Sequence, residues 1–331
     1  MKTAVIFGGT GFIGSHLAKH IIAENLYDRI LLADIKPIRA DFNFDNDRIE
    51  YVHLDVRKPI DEWSLPFENI ELIANFAAIH REPGHEAHEY FETNIPGAQN
   101  VCDWAEKVGC NQIIFTSSIS PYGSSEALKN ENTIPTPQTP YGESKLAAEK
   151  IHKYWQKAKR NRKLVIVRPG VVFGPGEGGN VTRLVKATMR RYFFYMGNRD
   201  TRKAGGYVKE LVNSMIWAMS NIKKEGCYLY NFSLPNAPTI QDYVNVVCKV
   251  AGVNRFVPYM PYDVLLPLSY LIEWSAKPFR AKPAICPTRV RKLVRSNNIE
   301  PMVLKRDHYQ YRYTFESAMQ DWLHDRPDEW K

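Results

Sequence analysis

Hydrophobic runs of membrane-spanning length are missing from this chain of 331 residues, so no transmembrane helix is predicted. Cysteine is scarce and unpatterned. Cys102, Cys110, Cys227, Cys248 and Cys286 form no C-x-x-C pair and no metal-ligand spacing, and they read as buried free thiols. The usual nucleic-acid-binding modules are absent, although the formal charge is +8. That charge is scattered, with local clusters at Lys157–Lys163, Arg199–Lys203 and Arg289–Arg295. It suits anionic ligands or an acidic membrane surface, and a solvated basic face is the commoner explanation. A signal-peptide pattern is missing too, because the chain runs straight into an apolar strand; a cytoplasmic protein is expected. What is present is an ordinary globular composition, 44% apolar, enough for one large α/β unit or two closely joined domains.

The most informative stretch comes first. Ala4 to Phe7 is a short apolar strand followed by Gly8-Gly9-Thr10-Gly11-Phe12-Ile13-Gly14, after which Ile13, Leu17, Ile21 and Ile22 fall on one helical face. In a strand–turn–helix of this kind each glycine has a physical task. Gly8 permits the tight turn, Gly11 lets backbone approach a pyrophosphate, and Gly14 lets the helix pack on the sheet. The helix N-terminus at Phe12 and Ile13 offers unpaired N–H groups and partial positive charge to phosphate. A second apolar run, Arg29 to Ala33, ends in Asp34, 20 residues beyond Gly14. A carboxylate there accepts the ribose hydroxyls of an adenosine and repels a 2′-phosphate, which favours NAD over NADP. Lys36 and Arg39 follow closely and soften that preference.

Arg48 to Leu54 alternates into Asp55-Val56, a third strand with a polar end. Asp55 either contacts the adenine amino group or caps the following turn. Ile70 to Ala78 is a nearly continuous apolar strand of the doubly buried, parallel kind. At its end Ala77 and Ala78 are small enough for backbone to pass close to a ribose. The loop from Ile79 to His85 carries a Pro83-Gly84 break, and His80 and Arg81 read as substrate-facing groups. His80, His85 and His88 match no established ligand spacing, so no metal is expected. A helix is predicted over His88 to Val108, with Asn94 in its first half.

The strand Gln112 to Phe115 runs into Thr116-Ser117-Ser118, and Pro140 introduces a helix carrying Tyr141 and Lys145 four residues apart on one face. A phenol with an ordinary pKa near ~10 is a poor base at neutral pH. A neighbouring ammonium, together with the positive ring of an oxidised nicotinamide, is expected to lower that value. Tyr141 can then remove a proton from a substrate hydroxyl as hydride leaves its carbon. Lys145 can hydrogen-bond the nicotinamide ribose, and Ser118 can hold the same substrate oxygen.

Taken together, GGTGFIG at 8–14, Asp34, Asp55-Val56, NFAA at 75–78, TSSISPYG at 116–123, YGESK at 141–145 and RPGVVFGPG at 168–176 are telling. The chain resembles the extended short-chain dehydrogenases/reductases of the NAD-dependent nucleotide-sugar epimerase/dehydratase family, well over about residues 1 to 235 and in general layout beyond. The resemblance implies Ser118, Tyr141 and Lys145 as the catalytic set, with Arg168 beside the nicotinamide. It also implies a homodimer through helices around 88–108 and 141–159. Dehydratases of the group carry Thr-Asp-Glu where this chain has Thr116-Ser117-Ser118, which disfavours dehydration. Many sugar epimerases place Asn at the position of Val171, and an Arg-Asp-Tyr segment where Gly205-Gly206-Tyr207 stands, so the sugar is left open.

The expected architecture is a Rossmann fold: a doubly wound, mostly parallel, seven-stranded sheet with a smaller, discontinuous C-terminal substrate domain. The nucleotide-binding part is expected over 1–173, with returns near 207–233, and the substrate part over 174–331. Ser117, Asn180, Arg199, Arg202 and Lys203 join His80 and Arg81 as substrate candidates; cations in this region, Arg183 among them, can grip a diphosphate. The leading expectation is an NAD-dependent epimerase of a nucleotide sugar, a UDP-sugar first, acting through a keto-sugar in polysaccharide or glycoconjugate synthesis. The alternative is a dehydrogenase or reductase of a lipid or sterol-like alcohol; a non-catalytic dinucleotide-binding regulator is a third reading. The Leu- and Tyr-rich segment from Tyr262 to Trp274 is read first as core of the smaller domain. Membrane contact, a lid over a greasy substrate and a dimer contact are the other readings.

Overall fold

Five fully buried residues, Thr3–Phe7, form β1 at the centre of the molecule. The computed structural model describes residues 1–42, 44, 47–60, 69–82, 84–276 and 286–331; Pro83, Lys277, Arg280 and Lys282 lie outside them. After β1 come α1 (Phe12–Ala23), β2 (Arg29–Asp34), β3 (Ile49–His53), β4 (Ile70–Asn75), α2 (Ala87–Lys107) and β5 (Gln112–Thr116). The chain continues through β6 (Ser125–Lys129), α3 (Pro140–Ala158), β7 (Lys163–Pro169), β8 (Val171–Phe173), α4 (Asn180–Met189), β9 (Tyr195–Met196) and β10 (Gly205–Tyr207). It closes with α5 (Val208–Asn221), β11 (Gly226–Phe232), α6 (Ile240–Val250), β12 (Tyr259–Met260), α7 (Tyr262–Ala276), α8 (Pro287–Leu293), β13 (Asn297–Ile299), α9 (Met302–Arg306) and α10 (Phe315–Asp325).

Seven strands make one sheet in the order β11-β7-β5-β4-β1-β2-β3, every pair parallel. Parallel strands require crossover connections, and the helices that supply them cover both faces, so the central strands are apolar throughout. Leu17 and Ile21 of α1 pack with Leu211 and Met215 of α5 on one face; Val101 and Trp104 of α2 pack with Ala148 and Trp155 of α3 on the other. The strand order reverses between β1 and β4. In such sheets the ligand crevice opens at that reversal, beyond the C-terminal ends of the strands.

A separate apolar cluster joins Phe173, Val185, Tyr207, Tyr243, Val247, Met319 and Trp322. It ties α4, α6 and α10 together beyond the C-terminal ends of β7 and β11. The expectation for Tyr262 to Trp274 is corrected here. The segment is helical, but only Leu265 and Ser269 of α7 are buried. The cysteine expectation is corrected in part: Cys102 and Cys110 are buried, Cys248 and Cys286 are half-buried, and Cys227 is exposed.

Candidate active site

Two features converge at the crevice between β1 and β4. The first is the glycine turn. Gly8 sits at φ +74°, and a Cβ there would lie 2.6 Å from the Ala77 nitrogen, so the turn and the end of β4 pass closer than any side chain permits. A Cβ on Gly14 would meet the Gly8 oxygen at 2.5 Å and the Gly9 Cα at 2.8 Å, which is why α1 lies directly against the turn. No side chain caps α1, whose N-cap is Gly11. The leading amides at Phe12 and Ile13 therefore face the crevice without a competing side-chain oxygen.

Asp34 ends β2 beside this turn. Its Oδ2 accepts from the Thr10 amide at 3.3 Å and its Oδ1 from the Lys36 amide at 3.1 Å. The Gly8 amide donates to the Ala33 carbonyl at 2.8 Å, so the carboxylate and the turn are set by one backbone frame. Arg39 turns to Asp41 and to the Gly176 carbonyl. The cradle, the uncapped helix and the strand-end carboxylate together fit an adenine dinucleotide with free ribose hydroxyls.

The second feature is the set of polar groups from β5 and α3. Thr139 caps α3 by accepting from the Gly142 amide at 3.2 Å, with Pro140 in the first turn, and this starts the helix where Tyr141 and Lys145 face the crevice. Ser118 stands close enough to the Tyr141 phenol to favour its ionised form. Its hydroxyl is oriented in turn by Ser120, whose amide donates to Ser118 Oγ at 3.1 Å. Lys145 is 3% exposed, with Nζ 4.5 Å from the centroid of the Phe115 ring.

Burial governs the protonation of both groups. Desolvation pushes the Tyr141 phenol up to about 12, with Glu82 and Tyr90 adding to the shift and the nearby Ser118 opposing it. Desolvation also lowers Lys145 to about 7, opposed by the Glu149 carboxylate one turn away. The sequence-based expectation that the lysine lowers the phenol is therefore not met by the protein alone.

The neighbouring residues are held by a buried lattice. Asn94 of α2 accepts from the Ile79 amide at 2.9 Å and donates to the Ile79 carbonyl and to Ser144 Oγ. This pins the loop after β4 to the N-terminal half of α3. His80 keeps an exposed face at the crevice mouth, and its imidazole pKa is lowered by desolvation and by Arg81 and Lys145. Arg81 is exposed, and its carbonyl accepts from the Tyr90 hydroxyl at 2.5 Å.

Several predicted residues do something else. Ser117 is 2% exposed and donates to Glu149 at 2.6 Å, so its expected contact with substrate is corrected to a structural one. Arg168, expected beside the nicotinamide, is 3% exposed and forms a two-pronged pair with Glu149 at 2.8 and 2.6 Å. It also donates to the Tyr122 hydroxyl at 2.7 Å. Glu149 keeps this buried guanidinium charged, and the pair braces α3 against β7.

Asp55 accepts from the Arg57 amide and pairs with its guanidinium, which is the turn-capping reading; Val56 is buried against Gly97 of α2. Asn180 opens α4 and accepts from Arg183 at 2.6 Å, on a stretch tied to α1 by the His16–Pro175 hydrogen bond. The basic loop is closer to the chemistry. Arg202 donates to the Ala237 carbonyl and Lys203 to the Arg295 carbonyl, while Arg199 is exposed. The loop ends at Ala204, which packs with Ile119 and Tyr122 just beyond Ser118.

Sequence reasoning missed Glu149 and His152, although both continue the Tyr141–Lys145 face of α3. His152 stacks on Phe115 at 4.1 Å, bonds the Ala148 carbonyl through Nδ1, and accepts from Asn75 Nδ2 at 3.2 Å through Nε2. Burial lowers it to about 4, so it is a neutral spacer behind the lysine. Among the described residues no group of three or more His, Cys, Asp or Glu side chains is arranged to hold a metal.

The family model described as the NAD dependent epimerase/dehydratase family matches residues 4–231, from β1 to the end of β11. The chain belongs to this family. One member, the N-acetyl-alpha-D-glucosaminyl-diphospho-ditrans,octacis-undecaprenol 4-epimerase of Escherichia coli, is 27% identical over 95% of this chain and 92% of its own length. A sterol-4-alpha-carboxylate 3-dehydrogenase (decarboxylating) of Candida albicans is 26% identical over 90% of each chain. The solved UDP-N-acetylglucosamine 4-epimerase of Methanobrevibacter ruminantium superposes with a TM-score of 0.76 at 19% identity, over 99% of both chains, and so shares the fold. The departures of Val171 and Gly205-Gly206-Tyr207 from the family's sugar-epimerase pattern have a structural meaning. Those residues pair as β8 and β10, where Gly170 backs onto the Ala204 carbonyl too closely for any side chain.

Proposed function

We propose that this family member is an NAD-dependent epimerase of a sugar carried on a diphosphate. The observation that carries the reading is the placement of Ser118 and Tyr141 together at the crevice with Lys145 one turn along α3, set beside a glycine cradle and the Asp34 carboxylate. Asp34, Gly8, Gly11, Gly14 and the amides of Phe12 and Ile13 would hold the cofactor's adenosine and pyrophosphate; Ala77 and Ala78 would flank it. Bound NAD would supply the hydride acceptor, and later the hydride donor, for inversion at a sugar carbon. Ser118 would hold the sugar hydroxyl, and Tyr141, ionised once a positive nicotinamide ring lies beside it, would receive the sugar's proton and later give it back. Lys145, buried beneath them, supplies positive charge once its ammonium is stabilised by a ribose hydroxyl. His80 and Arg81 line the mouth, and Arg199 with Arg202 offers cations to the diphosphate from the rim.

The diphosphate carrier can be a nucleoside, UDP first, or a polyprenol; the undecaprenol-linked substrate in the name of the Escherichia coli relative supports the second source. A homodimer through the outer faces of α2 and α3 belongs to the same reading, and Tyr154, 78% exposed on α3, is a side chain such a contact would cover. The sterol dehydrogenase relatives support a second reading, net oxidation of a lipid alcohol. The two readings separate by cofactor. An epimerase releases near-stoichiometric NAD when denatured and accumulates no NADH during turnover, whereas a dehydrogenase exchanges cofactor and accumulates NADH with its substrate. Tyr141→Phe is expected to retain cofactor and lose turnover by about 10²- to 10⁴-fold, measured by NMR on UDP-sugars and on a diphosphopolyprenyl sugar. Undiminished turnover of that variant would remove Tyr141 from the mechanism.

A further inference from the structure

The helix α7 is inside out. Its exposed positions include Val264, Pro267, Leu268, Leu271 and Trp274, which recur at the spacing of one helical face, while the polar Ser269 is fully buried with its hydroxyl on the Leu266 carbonyl. Leu271 is 63% exposed and Trp274 72% exposed. Tyr270, 46% exposed, takes a hydrogen bond from Arg291 of the neighbouring α8, whose guanidinium stands 5.8 Å from the centroid of its ring. An apolar stripe facing water is the arrangement expected of a surface that another phase covers.

Charge decides which phase. From Ser275 to Ser296 the sequence contains Lys277, Arg280, Lys282, Arg289, Arg291, Lys292 and Arg295 and no carboxylate. Arg291 and Arg295, the described members with described side chains, are exposed. An apolar stripe bearing Trp and Tyr beside a one-signed basic stretch matches an anionic bilayer surface, where aromatic rings sit at headgroup level and cations meet phosphate. A protein partner of this chemistry would need an acidic and greasy face together. At 15 residues with Pro267 inside it, α7 is about 22 Å long, too short to span the ~30 Å hydrocarbon core, so it would lie in the interface plane.

The placement is connected to the active site. Gly197, just after β9, lies so close to Val294 and Tyr262 that a Cβ would collide with Val294. The basic loop that begins there is bonded to Arg295, Ser296 and Asn297 before it reaches Ala204 beside Ser118.

We propose that the outer face of α7 docks the enzyme on an anionic membrane surface, with its apolar stripe in the headgroup region and the exposed Arg291 and Arg295 on lipid phosphates. The inference concerns where the enzyme works and stands whether the sugar's carrier is a nucleoside or a lipid. The full chain should sediment with phosphatidylglycerol/phosphatidylcholine vesicles, much less with pure phosphatidylcholine, and less at high salt. A variant carrying Leu268→Ser, Leu271→Ser and Trp274→Ser should lose roughly tenfold or more of that binding. Its thermal melting and its turnover of a soluble UDP-sugar should match the parent, because the three side chains are exposed and outside the catalytic set. The proposal is overturned if the parent stays in solution with anionic vesicles, or if the variant binds them as well as the parent. It is also overturned if the substitutions abolish self-association in light scattering while neither protein binds vesicles, which would make the face a contact between copies.

Discussion

Lys145 carries the largest unpaid electrostatic cost in the site. Its ammonium is buried beside the Phe115 ring, with Glu149 as the carboxylate that opposes the effect, and its pKa falls from 10.5 to about 7. A lysine lowered in the folded state binds its proton more weakly there than in the unfolded chain. The folded state therefore pays the full penalty below pH ~7 and is relieved of it as pH rises towards the ordinary lysine value. Lys145→Met should accordingly stabilise the cofactor-free protein, by an amount on the order of 4 kcal/mol at pH 6 that shrinks to nothing near pH 10.5. Denaturant unfolding at both pH values reads this directly; equal gains at both would show that the lysine is not discharged by burial. The same variant should lose turnover, because the strain exists for the sake of the reaction. Glu149 differs in kind. It is fully engaged by Arg168 and Ser117, so it serves the chemistry by holding α3 in register with β7.

At the scale of an element, the glycine turn shows that identical residues are not equivalent. A Cβ on Gly14 would press on the Gly8 oxygen at 2.5 Å and on Gly9, whereas one on Gly11 would meet only the Gly8 oxygen, at 3.1 Å. Gly14→Ala should therefore push α1 off the sheet and cost about 2 kcal/mol or more, while Gly11→Ala should cost under about 1 kcal/mol. Chemical denaturation of the two variants tests this, and the reverse order would contradict the packing account. In cofactor titration both should weaken binding, Gly11→Ala because its methyl occupies the approach to the helix N-terminus. The helix α2 makes a similar point about inserted residues. It starts with a capping box between Glu86 and Glu89 and tolerates Pro96 in its interior while Asn94 reaches out to the loop after β4.

Across the whole molecule, the last residues fold back to close the side of the crevice near α1. Glu329 accepts from the Gly176 amide at 3.0 Å and from Trp322 Nε1 at 2.6 Å, Trp330 is 3% exposed, and Arg326 pairs with Asp41 at 2.7 Å. Removing Arg326 to Lys331 strips a buried indole and orphans two donors. It should cost about 3 kcal/mol and lower the melting temperature by roughly 3–6 °C. An unchanged melting curve would mean that the tail is decoration. The tail also anchors the loop that begins at Gly174, through the Gly176–Glu329 hydrogen bond.

Much of this was legible in the chain itself. Period-two and continuous apolar runs marked the first five strands of the main sheet, because strands of a parallel sheet covered on both faces are largely buried. The glycine turn, Asp34, Ser118, Tyr141 and Lys145 were readable because each depends on local backbone geometry or on a short helical spacing. Tertiary structure decided what depends on partners far away in sequence. Ser117 and Arg168 look like site residues by position, yet a buried Glu149 takes both, because a charge inside a protein must find its counter-charge before it can serve a ligand. In the protein alone the Tyr141 phenol is pushed up by its own desolvation, which is set by everything packed around it and not by the helical spacing to Lys145. The segment at α7 is apolar in composition whether it faces in or out; only packing shows that Ser269 turns inward and Trp274 outward.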